Sequence, residues 1–147
     1  GYLNQPELSA AALRRGWLHT GDMGRADDRG YLWIVDRKKD MIVSGGFNVY
    51  PRDVEDAIAT HPAVAMVAVI GIPDAKWGEA VTAMVQLRPG HSVPADVLVE
   101  LVRQRKGSVQ APKRVEFIAE MPRTAVGKID KKALRQPFWI GQGRMVG

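Results

Sequence analysis

No cysteine occurs anywhere in the 147 residues, which removes disulfides, thiolate nucleophiles and cysteine-based zinc sites together. Histidine is almost as scarce. His19, His61 and His91 stand far apart and match no ligand spacing, so no metal centre is expected on them. Long hydrophobic runs are missing too. The longest, AVAMVAVIGI at 63–72, has ten residues and ends in Pro73-Asp74, well short of the ~20 that a membrane-spanning helix needs. It predicts a buried strand, and no transmembrane segment is expected. The opening GYLNQPELSA has neither a basic start nor an apolar block, so it does not read as a secretory signal. With no cysteine either, the cytoplasm is the expected compartment.

A chain that is 46% hydrophobic and 25% charged matches neither a disordered nor a fibrous class. Its length allows one domain, or a small domain with a piece of a neighbour. The abrupt start at Gly1, without methionine, favours a fragment. The net charge of +5 is unevenly spread: residues 1–38 sum to +1, 39–100 to −4 and 101–147 to +8. A basic final third suits nucleic acid or a coenzyme with several phosphates. Stacking aromatics are absent from 101–135 apart from Phe117, which disfavours nucleic acid.

Local patterns predict an α+β fold. PELSAAALRR forms a short helix after Pro6, and the DDRG turn at 27–30 precedes the alternating strand YLWIV at 31–35. DRKKD at 36–40 is a charged connector, and MIVSGGFNVYP is a hairpin about Gly45-Gly46. Pro51 opens a helix that His61-Pro62 ends, with Val54, Ala57 and Ile58 at helical spacing. Strands follow at 64–70 and 79–87 around the loop GIPDAKWG, then a helix at 95–106, a strand at 113–119 and a short closing helix at 130–135. The expected architecture is a small layered domain with a β-hairpin and a three-stranded sheet packed by helices. DRKKD is its candidate hinge.

The stretch PRTAVGKIDKKAL at 122–134 contains a Gly-Lys pair that invites a phosphate-loop reading. That loop requires glycine five positions before Gly127 and Ser or Thr after the lysine. Here Pro122 and Ile129 occupy those places, so Lys128 needs another explanation.

Four segments in order supply one: GWLHTGDMG (16–24), DRKKDMIVSGGFNVYPRDVE (36–55), GIPDAKWGE (71–79) and PRTAVGKIDKKAL. Together they resemble the adenylate-forming (AMP-binding) acyl-CoA synthetase superfamily, specifically its C-terminal domain plus the end of its N-terminal domain. The resemblance implies that 1–38 is a remnant of the large N-terminal adenylation domain and 39–147 the C-terminal lid. It implies an ATP-dependent acyl-CoA synthetase acting on a fatty or aromatic acid, with ATP, Mg2+ and CoA held mainly by the N-terminal domain. The isolated fragment would be inactive. An adenylation domain with a carrier protein or another acceptor, or a stand-alone basic binding module, is the alternative.

The same resemblance assigns residues. Lys128, in P-x-T-x-x-G-K, would lie between the carboxylate and the α-phosphate of ATP, two anions that repel until a cation stands between them. Asp22 and Arg37 match positions that hold the ribose hydroxyls, which suit a carboxylate acceptor and a guanidinium fork. Lys39 marks the hinge, and Gly46 a tunnel for pantetheine that a side chain would obstruct. Trp77 matches an aromatic that in some members faces the thioester step. Arg103, Arg105, Lys106, Lys113 and Arg114 could supply a field for the coenzyme's phosphates, or could be ordinary solvated faces. Two features depart from the pattern. Val109 and Gln110 stand where relatives often have Tyr-Lys, and the tail QPFWIGQGRMVG carries no pantetheine-bearing segment.

Overall fold

The computed structural model describes residues 1–141, so the last six residues of that tail lie outside the described residues. The chain divides into two units, Gly1–Lys39 and Asp40 onward.

In the first unit, helix α1 (Pro6–Ala12) starts with its proline in the first turn, where no N–H is needed. It is shorter than PELSAAALRR. Arg15 and Gly16 both have positive φ (53° and 80°) and pair β1 (Leu13–Arg14) with β2 (Trp17–Leu18) in a tight hairpin that the helical reading missed. A second antiparallel pair joins β3 (Asp22–Ala26) to β4 (Leu32–Arg37). At its turn the Asp27 carboxylate accepts from the Arg29 and Tyr31 N–H groups, which accounts for the DDRG signal. β4 runs on through Arg37 because Asp36 and Arg37 pair with Met23 and Asp22. The charged connector is therefore shorter than DRKKD, and Lys38–Asp40 form a single turn of 3-10 helix.

The second unit is built on one sheet of five strands among the described residues. The hairpin β5 (Ile42–Ser44) and β6 (Phe47–Val49) precedes helix α2 (Pro51–Ala59). The strands β7 (Val64–Asp74) and β8 (Gly78–Leu87) pair along their whole length and absorb most of the expected loop GIPDAKWG, leaving a turn whose Lys76 and Trp77 N–H groups donate to Asp74. Helix α3 (Ala95–Lys106) leads to β9 (Arg114–Phe117), which lies parallel to β8. The hairpin is not separate from the expected three strands: Ser44 pairs with Gly78. Since β7 fills one side of β8, β5 and β9 share the other, β5 at the Gly78 end and β9 at 82–85.

Alternation along β7 and β8 produces two cores. Val67, Val69, Val81, Ala83 and Val85 face α2 and α3, where Val54, Ile58, Leu98 and Val102 are fully buried. Ala68, Ile70, Ile72, Ala80 and Met84 face Met121 and Leu134 on the opposite side. Both faces being covered explains why AVAMVAVIGI is apolar at every position rather than at alternate ones. Helix α4 (Lys131–Trp139) covers the second face. It passes Pro137 and outruns the expected end at Arg135. The Trp139 indole N–H donates to the Gly71 carbonyl and Phe138 packs on the second core, contacts that offset the proline.

Candidate functional site

Lys128 sits on a turn whose shape the sequence dictates. The Gly127 N–H donates to the Thr124 carbonyl, the Thr124 N–H donates to the Lys128 carbonyl, and Arg123 bridges to Ile129. Gly127 has φ 80°, a conformation that strains any residue with a Cβ. The Arg123 guanidinium donates to the Gly127 carbonyl at 3.1 Å, bracing the turn from its side. Lys128 itself is exposed, as is Val126 at the tip. The result is an exposed, hydrogen-bonded turn with a cation at its base.

Asp22 and Arg37 are cross-strand partners in the first unit, with Arg37 Nε 3.1 Å from Asp22 Oδ1. The ladder thus brings together the two side chains that the resemblance assigned to one ribose. Arg37 is the more exposed of the pair. Lys39 is exposed within the 3-10 turn, at the last residue of the first unit.

The hairpin glycines separate. Gly45 has φ 59°, and a Cβ there would stand 2.8 Å from the Trp77 ring. Its N–H donates to the Trp77 carbonyl at 2.8 Å. Gly46 has φ 84° and nothing within 4 Å of a Cβ position, so its surroundings are open. Backbone conformation favours glycine at both positions and packing against Trp77 demands it at Gly45 as well, a distinction that sequence alone did not make.

Two ammonium groups lie over the Trp77 ring, Lys76 Nζ at 4.9 Å and Lys113 Nζ at 5.1 Å from its centroid. Ser44, Phe47, Trp77, Ser108, Val109 and Lys113 line a cleft of about 200 Å³ beside the hairpin. Ser44 is 4% exposed, and its hydroxyl has no hydrogen-bond partner among the described residues. A buried hydroxyl without a partner is costly unless a ligand or water completes it. Sequence reasoning missed both Ser44 and Lys76. Lys76 adjoins Trp77 and could have been suspected, whereas the approach of Lys113 depends on a turn 36 residues away.

The other basic residues are mostly engaged. Lys106 pairs with Asp53, Arg103 with Glu100 and Arg114 with Glu116. These three residues of the basic final third are thus paired with nearby carboxylates, and Lys76 and Lys113 remain as the cations around Trp77. Among the described residues no group of three or more His, Asp or Glu is placed to hold a metal ion. No helix among them is long and apolar enough to cross a membrane.

The AMP-binding enzyme C-terminal domain family matches residues 53–128. The whole chain is 55% identical to 27% of a medium/long-chain-fatty-acid–CoA ligase of Mycobacterium tuberculosis. Over 91% of its length it is 48% identical to 24% of a long-chain-fatty-acid–CoA ligase of Bacillus subtilis. Among solved structures, an amide bond synthetase from Marinactinospora thermotolerans superposes with a TM-score of 0.84 at 43% identity, covering 94% of this chain and 28% of that one. The chain thus spans about a quarter of the length of the curated relatives it matches.

Proposed function

Since the chain belongs to the AMP-binding enzyme C-terminal domain family, we propose that it is the lid of an ATP-dependent acyl-CoA synthetase, joined at Lys39 to the end of the adenylating domain. The acid is a medium- or long-chain fatty acid or an aromatic acid, and the setting is the cytoplasm. The similarity to two fatty-acid–CoA ligases at 55% and 48% identity supports this reading.

In the first half-reaction the substrate carboxylate attacks the α-phosphorus of ATP and pyrophosphate leaves. The Lys128 ammonium stands between the two anions and offsets their repulsion, staying charged because its ordinary pKa is ~10.4. Asp22 and Arg37 orient the ribose through its hydroxyls. Magnesium, held mainly by the N-terminal domain, would supply positive charge to the leaving pyrophosphate. In the second half-reaction the thiol of coenzyme A attacks the acyl carbon, AMP leaves, and the thiol proton passes to solvent. The 41–50 hairpin faces this step, reached by rotation about Lys39.

The single observation that carries the coenzyme assignment is the cleft at the hairpin. Its unpartnered Ser44 hydroxyl suits an amide of pantetheine, and Trp77 with two lysines at its ring suits an aromatic base with adjoining phosphates. The amide bond synthetase neighbour supports a second reading, in which the same lid serves a different acceptor. AMP release by the complete enzyme with a fatty or aromatic acid and ATP, with coenzyme A or an amine, decides between them. Release that depends on coenzyme A supports the synthetase. Release that requires an amine contradicts it.

A further inference from the structure

Two ion pairs tie α4 to the chain on either side of the β5–β6 hairpin, and the chemistry above uses neither. Lys131 Nζ lies 2.7 Å from Glu55 Oε1, and Arg135 Nη2 lies 3.0 Å from Asp40 Oδ1. All four side chains are 14–19% exposed, so solvent and salt weaken these pairs less than ordinary surface pairs. Lys131 and Arg135 are four residues apart and share one face of α4. Asp40 comes two residues before β5, and Glu55 lies in α2, the helix that follows β6. Glu55 also accepts the Val69 N–H at 2.7 Å, at the free edge of β7. Helices on opposite faces of the sheet are thereby joined around its edge strand.

Helix α4 begins where the Lys128 turn ends. The Asp130 N–H donates to the Pro122 carbonyl and closes the turn, while the Asp130 carboxylate accepts the Ala133 N–H and caps the helix. One residue serves both, so displacement of α4 displaces Lys128. The hairpin has independent anchors: Ile42 and Val49 in the first core, the Ser44–Gly78 pairing, and the Glu79 carboxylate accepting the Val43 N–H. Loosening α4 should therefore affect the turn and spare the hairpin.

We propose that Lys131 and Arg135 are positioning residues which, through Glu55 and Asp40, hold the Lys128 turn in the orientation that the adenylation half-reaction needs. The inference rests on the role given to Lys128 above. Asp40 follows the hinge residue directly, so rotation at Lys39 passes to α4 from the first residue of the lid.

The test uses Lys131→Met and Arg135→Met, singly and together, in the complete enzyme. Acid-dependent ATP–pyrophosphate exchange should fall roughly tenfold or more, since small misplacements of a catalytic group are costly. Thioester formation from supplied acyl-adenylate should stay within about twofold, and Lys131→Arg should restore exchange. Amide hydrogen exchange should quicken at 122–130 and not at 42–49. An equal fall in both half-reactions, or an unchanged ratio with unchanged amide protection, overturns the inference. An unsubstituted enzyme that makes thioester yet shows no exchange overturns the role of Lys128 instead, and this inference with it.

Discussion

The two units use the same kinds of side chain to opposite ends. From Asp40 onward, large apolar residues close two cores on either face of one sheet. In Gly1–Lys39 no residue is buried, and Trp17, Leu32, Trp33 and Ile34 are 46–79% exposed. A 39-residue segment of two short hairpins and a seven-residue helix has too little surface to bury for independent stability. The difference teaches that apolar side chains make a core only where both faces of a sheet are enclosed. The first unit's exposed aromatic and aliphatic side chains fit the proposal that this unit is the end of an adenylating domain. Asp22 and Arg37 sit on the unit without a core, while Lys128 and Gly46 sit on the one with two.

The sharpest way to break this contrast is by truncation of side chains. Ile58→Ala should destabilise the 147-residue chain by about 2–5 kcal/mol, because the vacated volume lies in a closed core. Leu32→Ala should leave its thermal transition unchanged. Calorimetry of both variants checks this, and equal losses would mean that the first unit shares in the core.

Within the second unit the hairpin glycines give the next effect. Gly45→Val drives a side chain into Trp77 and should cost about 1–3 kcal/mol, read from denaturant midpoints. Gly46→Ala meets only backbone strain, about 1 kcal/mol, and leaves the core intact. Similar costs at both positions would undo the separation of their roles.

Smallest in stability is Asp22→Asn. Its exposed pair with Arg37 contributes about 0–1 kcal/mol. In the complete enzyme the same change should raise KM for ATP roughly tenfold, the loss expected when charged hydrogen bonds to hydroxyls are weakened. A large fall in Tm with unchanged KM would make Asp22 structural.

Strands, helices and turns that depend on local chemistry were legible. Pro51 and Asp53 announced α2, the unbroken apolar run announced a buried strand, and the pairing of Gly45 with Gly46 announced the hairpin. The hairpin of β1 and β2 was not, because its turn puts Arg15 at positive φ, a position that arginine does not signal. Nor was the union of the two hairpins into one sheet, which rests on the single Ser44–Gly78 pairing. At the candidate site, the motifs singled out Lys128 beside Gly127 and gave Gly46 and Trp77 to the thioester step. The orphan hydroxyl of Ser44 and the Glu55–Lys131 and Asp40–Arg135 pairs depend on residues 76 and 95 positions apart or on packing, and no local pattern encodes such distances.

The central claim is that the lid carries two separate instruments, Lys128 for adenylation and the 41–50 hairpin for thioester formation. Measuring both half-reactions in the complete enzyme bearing Lys128→Ala tests it most directly. ATP–pyrophosphate exchange should fall about 10²–10³-fold, the range for removing one charge-stabilising group, while thioester formation from supplied acyl-adenylate continues at close to the unsubstituted rate. Equal loss of both steps would contradict the account.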